Sequence, residues 1–282
     1  MLTGGVPRVI AHSDPWGDIH PQVLVMNDKF AIDFNTSRAD QQETFTAARP
    51  VQRVIYTADG KLFAPRHPLH RDRSYSEMGP AGIYGTSARL GDSTIIFQGR
   101  QSGQPDYLLK SADGKFTRVR LPWPDHVSLS LLENVLVVPE GIAMTGKEGK
   151  DHSPNDPLRF YWFAHESTGK PALLTIGPTA CIYQFPVASN LAFAGGRFWL
   201  AYMRPTKEDL KLALWSWKPG DKAARVEDLD SPADWNSDLS LAAIGDRLCL
   251  AYHCVNSREY PGNAEIVTVF RKAESSMHPP GS

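Results

Sequence analysis

Three short stretches of the 282-residue chain set an aromatic side chain beside a carboxylate, two of them with an imidazole as well. Pro15-Trp16-Gly17-Asp18-Ile19-His20 runs through nearly the same residue types as Pro122-Trp123-Pro124-Asp125-His126, and Pro232-Ala233-Asp234-Trp235 carries the pair rearranged. An indole face packs on C–H groups while a carboxylate accepts hydroxyl protons, so such stretches suit a hydroxyl-rich, partly apolar ligand. They suit packing equally, each Trp wedged between neighbouring repeats and each Asp closing a turn. Both readings stand at this level. The candidate binding residues are Trp16, His20, Trp123, His126 and Trp235, with Arg100 and Arg204 as polar contacts.

Arginine recurs in a related pattern. Arg38, Arg100, Arg204 and Arg258 fall at or just after apolar runs, with Lys147 and Lys150 in the corresponding place of another. Guanidinium forks can converge on a carboxylate or phosphate of a ligand, or pair with an acid in a neighbouring loop. For acid and base chemistry the residues to test are Asp18, Glu77 and Asp125, since paired carboxyl groups are the usual equipment for glycosidic bonds. His67 and His70 are interrupted by Pro68, and Asp18 and His20 point the same way only on an extended segment. Neither pair brings the ligand set of a zinc site, so neither metal nor cofactor is expected. The chain contains no nucleophile elbow, phosphate loop or dinucleotide fingerprint.

The elements that position these residues are strands. Helical periodicity is nearly absent, and short β-branched, aromatic and aliphatic runs alternate with Gly, Pro, Asn and Asp clusters. A tight-turn marker recurs around Asn27-Asp28, Gly91-Asp92, Glu140-Gly141, Gly195-Gly196 and Gly245-Asp246, at steps of roughly 50 to 65 residues, against the roughly 40–50 of familiar blades. A second marker follows the third strand of four repeats: Asp59-Gly60-Lys61, Asp113-Gly114-Lys115, Thr168-Gly169-Lys170 and Gly220-Asp221-Lys222. The fifth repeat ends after its third strand, residues 265–271, and an unassigned strand at residues 7–11 precedes the first. Pairing those two would complete the last blade and leave no open edge. The expectation is therefore an all-β, five-bladed β-propeller of four-stranded blades, a single domain over residues 1–274 with a tail at 275–282.

In such a blade the tight hairpins gather at one face. Residues 35–50, 147–157 and 254–263, with the connections 12–21, 65–80 and 178–186, form longer loops at the other, which becomes the candidate working face. The aliphatic first and second strands, including Val23, Val25, Ile95, Phe97, Leu191, Phe193, Leu200, Leu241 and Leu250, are expected to line the core.

Hydrophobic content of 41% supports a packed core, and charged content of 22% is too low and too mixed in sign for a disordered chain. A formal net charge of −1 gives no general attraction to nucleic acid or an anionic membrane. No apolar run is long enough for a membrane helix, so the expectation is a soluble monomer. The three cysteines, Cys181, Cys249 and Cys254, make neither a disulfide framework nor a zinc set. They lean toward a reducing, cytoplasmic compartment, and a trimmed exported form would read the same.

Thr57-Ala58-Asp59-Gly60-Lys61-Leu62-Phe63 and Ser111-Ala112-Asp113-Gly114-Lys115-Phe116 resemble a shortened Asp-box of sialidase-like propellers, with Asp and Gly adjacent where that box separates them by one residue. At fold level the chain also resembles five-bladed glycosidases with acidic residues near the channel, and repeat lectins. Unequal blades argue against a multivalent lectin. Divergent loops and aromatic stretches fit a protein-recognition scaffold, such as an inhibitor or immunity-type partner. The expectation is a non-catalytic binding propeller for a protein partner or a glycan, with glycoside hydrolysis as the alternative.

Overall fold

The computed structural model describes residues 7–13, 19–35, 49–73, 86–90, 92–97, 103–148, 156–165, 171–182, 185–231, 235–255 and 264–273. Every regular element among them is a strand. After the N-terminal strand β1 (Arg8–Ser13), blade one sets β2 (Ile19–Met26), β3 (Lys29–Asn35), β4 (Arg49–Thr57) and β5 (Leu62–Arg73) side by side. Blade two repeats the order with β6 (Thr86–Leu90), β7 (Ser93–Phe97), β8 (Tyr107–Lys110) and β9 (Phe116–Val119). Blade three does so with β10 (Leu129–Val138), β11 (Gly141–Glu148), β12 (Leu158–Ala164) and β13 (Ala172–Gly177). A two-stranded ribbon, β14 (Cys181–Ile182) and β15 (Phe185–Pro186), precedes blade four: β16 (Ala192–Ala194), β17 (Arg197–Pro205), β18 (Leu210–Trp217) and β19 (Arg225–Asp228). Blade five holds β20 (Trp235–Ile244), β21 (Arg247–Val255), β22 (Ala264–Lys272) and, as its fourth strand, β1. The fold is the five-bladed β-propeller, its last blade completed by the N-terminal strand.

The chain forms two compact units, Met1–Pro80 with Val187–Ser282, and Ala81–Pro186. In the first, β1 pairs antiparallel with β22 from Arg8 opposite Thr268 to Ser13 opposite Ala264, which covers the edge that β22 would otherwise expose. Alternation along β3 sends Phe30, Ile32 and Phe34 to one side, where they pack with Cys249, Ala251 and Ile266 of blade five. Side chains also tie the innermost strands together. The Val23 amide donates to Ser240 Oγ at 2.9 Å, while Asn190 accepts from the Leu241 amide at 3.0 Å and donates to its carbonyl at 2.5 Å. These bonds satisfy backbone groups that no neighbouring strand reaches.

In the second unit, Ile95 of blade two meets Trp123, Leu129, Ile142, Met144, Tyr161 and Phe163 in a core between the two blades. Strand β11 is buried from Gly141 to Lys147, as a second strand enclosed on both faces must be. The outer strand β13 alternates toward solvent.

Three expectations change. Val25 is 49% exposed, because it lies one residue from the end of β2, beyond the covering side chains; Val23, on the same parity, is buried. Residues 65–73, assigned to a connection, continue β5, where Pro65 and Pro68 are tolerated because an outer strand need not donate on both sides. Part of the 178–186 connection is the β14–β15 ribbon. The side chain of Phe97 lies outside the described residues.

Candidate functional site

The innermost strands of three blades lose register in the half that leads in from the long loops. In blade one β2 slips between Ile19 and Gln22, in blade five β20 slips between Ser237 and Ser240, and in blade three β10 slips twice, between Leu129 and Leu131 and between Leu132 and Asn134. A bulge leaves a residue without an opposite number and turns its side chain off the regular alternation, a device found beside active sites. The residues so released are Pro21, then Asp238 and Leu239, then Ser130 and Glu133. Asp238 takes a φ of 50°, which an aspartate tolerates better than most, and its Oδ2 lies 3.7 Å from His253 Nδ1.

Blade three carries the fullest set within one sheet. Glu133 is partly buried at its bulge, and its Oε1 is shielded from solvent. On the adjacent strand Glu148, opposite Leu129, accepts a hydrogen bond from Tyr161 Oη at 2.7 Å and faces Arg159 Nε at 3.2 Å. Burial first, and then the bond to Glu148, push the Tyr161 phenol far above its ordinary range, so it keeps the proton that it donates to Glu148. Lys147 is fully buried beside them, its carbonyl accepting from Ser130 Oγ at 3.2 Å, and Asn134 Nδ2 donates to Thr145 Oγ1 at 3.0 Å.

The residues singled out from sequence are divided. Trp16, Asp18, Glu77 and Arg100 lie outside the described residues, as do the side chains of His20 and Trp235. Asp125 and His126 are exposed in a turn closed by the Val127 amide on the Pro124 carbonyl at 3.0 Å, and Gln104 Nε2 braces that turn from blade two at 3.0 and 3.1 Å. Trp123 is only 9% exposed. Its Nε1 donates to the Pro105 carbonyl at 2.8 Å, and its ring meets Tyr161 and Phe163 edge-on at 5.0 and 4.8 Å. It is the wedge of the packing reading. Arg204, 35% exposed at its side chain, donates Nη2 to both carboxylate oxygens of Asp228, at 2.7 and 2.9 Å. Among the described residues no three His, Cys, Asp or Glu side chains gather as a metal set.

Glu133, Glu148 and Asp238 escaped the sequence reading, which looked to the loops. The signal was present in Leu129-Ser130-Leu131-Leu132-Glu133-Asn134-Val135, where polar residues break the alternation that an uninterrupted strand would keep.

No protein-family model matches the chain, and no curated protein matches it. Solved structures do. The catalytic domain of a GH62 alpha-L-arabinofuranosidase from Coprinopsis cinerea is 11% identical over 95% of this chain and 96% of its own, with a TM-score of 0.40. A GH43_1 enzyme from Xanthomonas citri is 12% identical over 94% and 90%, with a TM-score of 0.44. The alpha-L-arabinofuranosidase PaAbf62A from Podospora anserina, solved with cellotriose, is 11% identical over 95% and 96%, with a TM-score of 0.42. The likeness is one of fold. The expectation of a non-catalytic binding protein is corrected here: these similar structures are glycoside hydrolases, and Trp123, its leading anchor, is committed to the core between blades.

Proposed function

We propose that the chain is a glycoside hydrolase whose acid chemistry is carried by blade three, with Glu133 as general acid and Glu148 as the ionised partner. The observation that carries this reading is the bulge at Glu133 two to three rungs from the clamped Glu148 on the next strand. Hydrolysis of a glycosidic bond needs one carboxyl that holds a proton and one that stays charged. Shielding of Glu133 Oε1 suits the first task, and the Tyr161 hydroxyl donor with the neighbouring Arg159 charge suits the second. By register the two residues sit two to three rungs apart, about 7–10 Å along the strands. Side chains of that length can bring their carboxyls to the roughly 5–9 Å used by glycosidases.

A glycan is the partner this reading requires, and Asp125 and His126, exposed nearby in the chain order at the lead-in to β10, are its proposed outer contacts. The test is hydrolysis of a panel of aryl glycosides by the purified chain. Glu133→Gln and Glu148→Gln should each lower kcat by about 10²–10⁴ with the melting temperature held. Absence of turnover across furanosides and pyranosides of both anomers would overturn the proposal.

A further inference from the structure

Between blades two and three, within the same compact unit, lies a cleft of about 380 Å³ that neither proposed catalytic glutamate lines. Ile142 and Phe163 give it an apolar, buried floor, and Tyr107 and Pro122 form part of its walls. Among the described residues its charged or ionisable lining, apart from the Tyr107 phenol, consists of Arg120 and His165, both exposed, and includes no carboxylate. Ile142 and Glu148 stand at opposite ends of β11, so the cleft and the proposed catalytic pair are separate features of the blade.

Arg120 differs from most of the described guanidinium groups. Among the described residues Arg53, Arg118, Arg159, Arg197, Arg204 and Arg271 each reach a carboxylate, whereas Arg120 reaches none. Its near neighbour Arg118 is held by Asp106 at 2.5 Å, so a partner was within reach of this segment and went to the other side chain. A planar fork that no described carboxylate takes up, at a cleft with an apolar floor and an imidazole in the same lining, is complementary to a carboxylate mounted on a compact ring. The volume falls within the range of small-molecule sites.

We propose that this cleft binds a six-membered ring bearing one carboxylate, with Arg120 holding the carboxylate, His165 bonding a ring substituent, and Ile142, Phe163 and Pro122 covering the ring face. Such a group occurs both in acidic sugars and in aryl carboxylic acids. The test is calorimetric titration of the full chain with D-glucuronate and with 4-hydroxybenzoate, and with D-glucose as the uncharged control. At least one acid should bind, glucose should bind about tenfold more weakly or worse, and Arg120→Gln should weaken the acid by about tenfold. Binding of glucuronate alone identifies a sugar acid, and binding of the benzoate alone identifies an aryl acid. If Arg120→Gln melts below the parent, Arg120→Lys, which keeps the charge and loses the fork, should still show a several-fold loss. Binding of neither acid, equal binding of glucose, or binding indifferent to both substitutions would overturn the assignment.

Discussion

Arg53 in β4 closes a two-pronged bridge onto Asp33 in β3, Nε to Oδ1 at 2.6 Å and Nη2 to Oδ2 at 2.8 Å, with the Asp33 side chain wholly out of solvent. The hydrogen bonds to Asp33 raise the Arg53 guanidinium above its already high range, outweighing the opposing effect of burial. The guanidinium stays charged at any working pH. Removing one member strands the other in a poorly solvated place, so Asp33→Ala should cost about 3–5 kcal/mol, read as a lower urea midpoint. Replacing both, as Asp33→Leu with Arg53→Met, should cost clearly less. An Asp33→Ala protein that unfolds with the parent would show the bridge to be idle.

Two glycines in equivalent turns separate strain from crowding. Gly60 and Gly114 have φ of +80° and +84°, so a Cβ strains both by about 1–2 kcal/mol. At Gly60 that Cβ would also lie 2.8 Å from Phe270 Cγ in blade five, whereas at Gly114 it meets nothing within 4 Å. Gly60→Ala should therefore cost about 1–3 kcal/mol more than Gly114→Ala in denaturant unfolding. Equal losses would show that Phe270 yields freely.

The same turns make stability depend on acid. Thr57 Oγ1 donates to Asp59 Oδ1 at 2.5 Å and Ser111 Oγ donates to Asp113 Oδ1. These hydroxyl bonds, aided by Lys61 and Lys115, hold both carboxyls below their ordinary value of 3.8. A depressed folded-state value adds stability that is present above pH 3.8 and lost as pH falls through the lower folded-state value. The melting temperature should drop between about pH 4 and 2, and Asp59→Asn with Asp113→Asn should flatten that slope. The full slope persisting in the double variant would assign it to other carboxyls.

Trp123 is a stability residue. With its ring against Tyr161 and Phe163 and its indole N–H on Pro105, Trp123→Ala should lower stability by about 3–5 kcal/mol. A variant that keeps the parent's melting temperature would return Trp123 to the ligand-contact reading.

The repeats, the tight turns and the completion of the last blade by the N-terminal strand were readable because each depends on local chemistry: Asn27 and Gly245 at positive φ, Asp-Gly pairs at hairpins, and one strand missing where another was spare. What the sequence withheld depends on partners far along the chain. That Arg204 is taken up by Asp228 depends on how β17 and β19 lie across β18, and that Trp123 is a wedge depends on β12. The bulges are intermediate: the broken alternation around Glu133 is visible, yet only the register of β10 against β11 shows that it leaves Glu133 unopposed, two to three rungs from the level of Glu148.

The central claim is that Glu133 donates the proton to the departing oxygen, and leaving-group dependence in Glu133→Gln tests it most directly. A 2,4-dinitrophenolate departs without protonation, whereas an alcohol does not. The variant should therefore keep near-parent kcat on the dinitrophenyl glycoside of the accepted sugar and lose about 10²–10⁴ on the matching alkyl glycoside. Equal losses on both substrates, or none on either, would contradict the assignment of Glu133 as general acid.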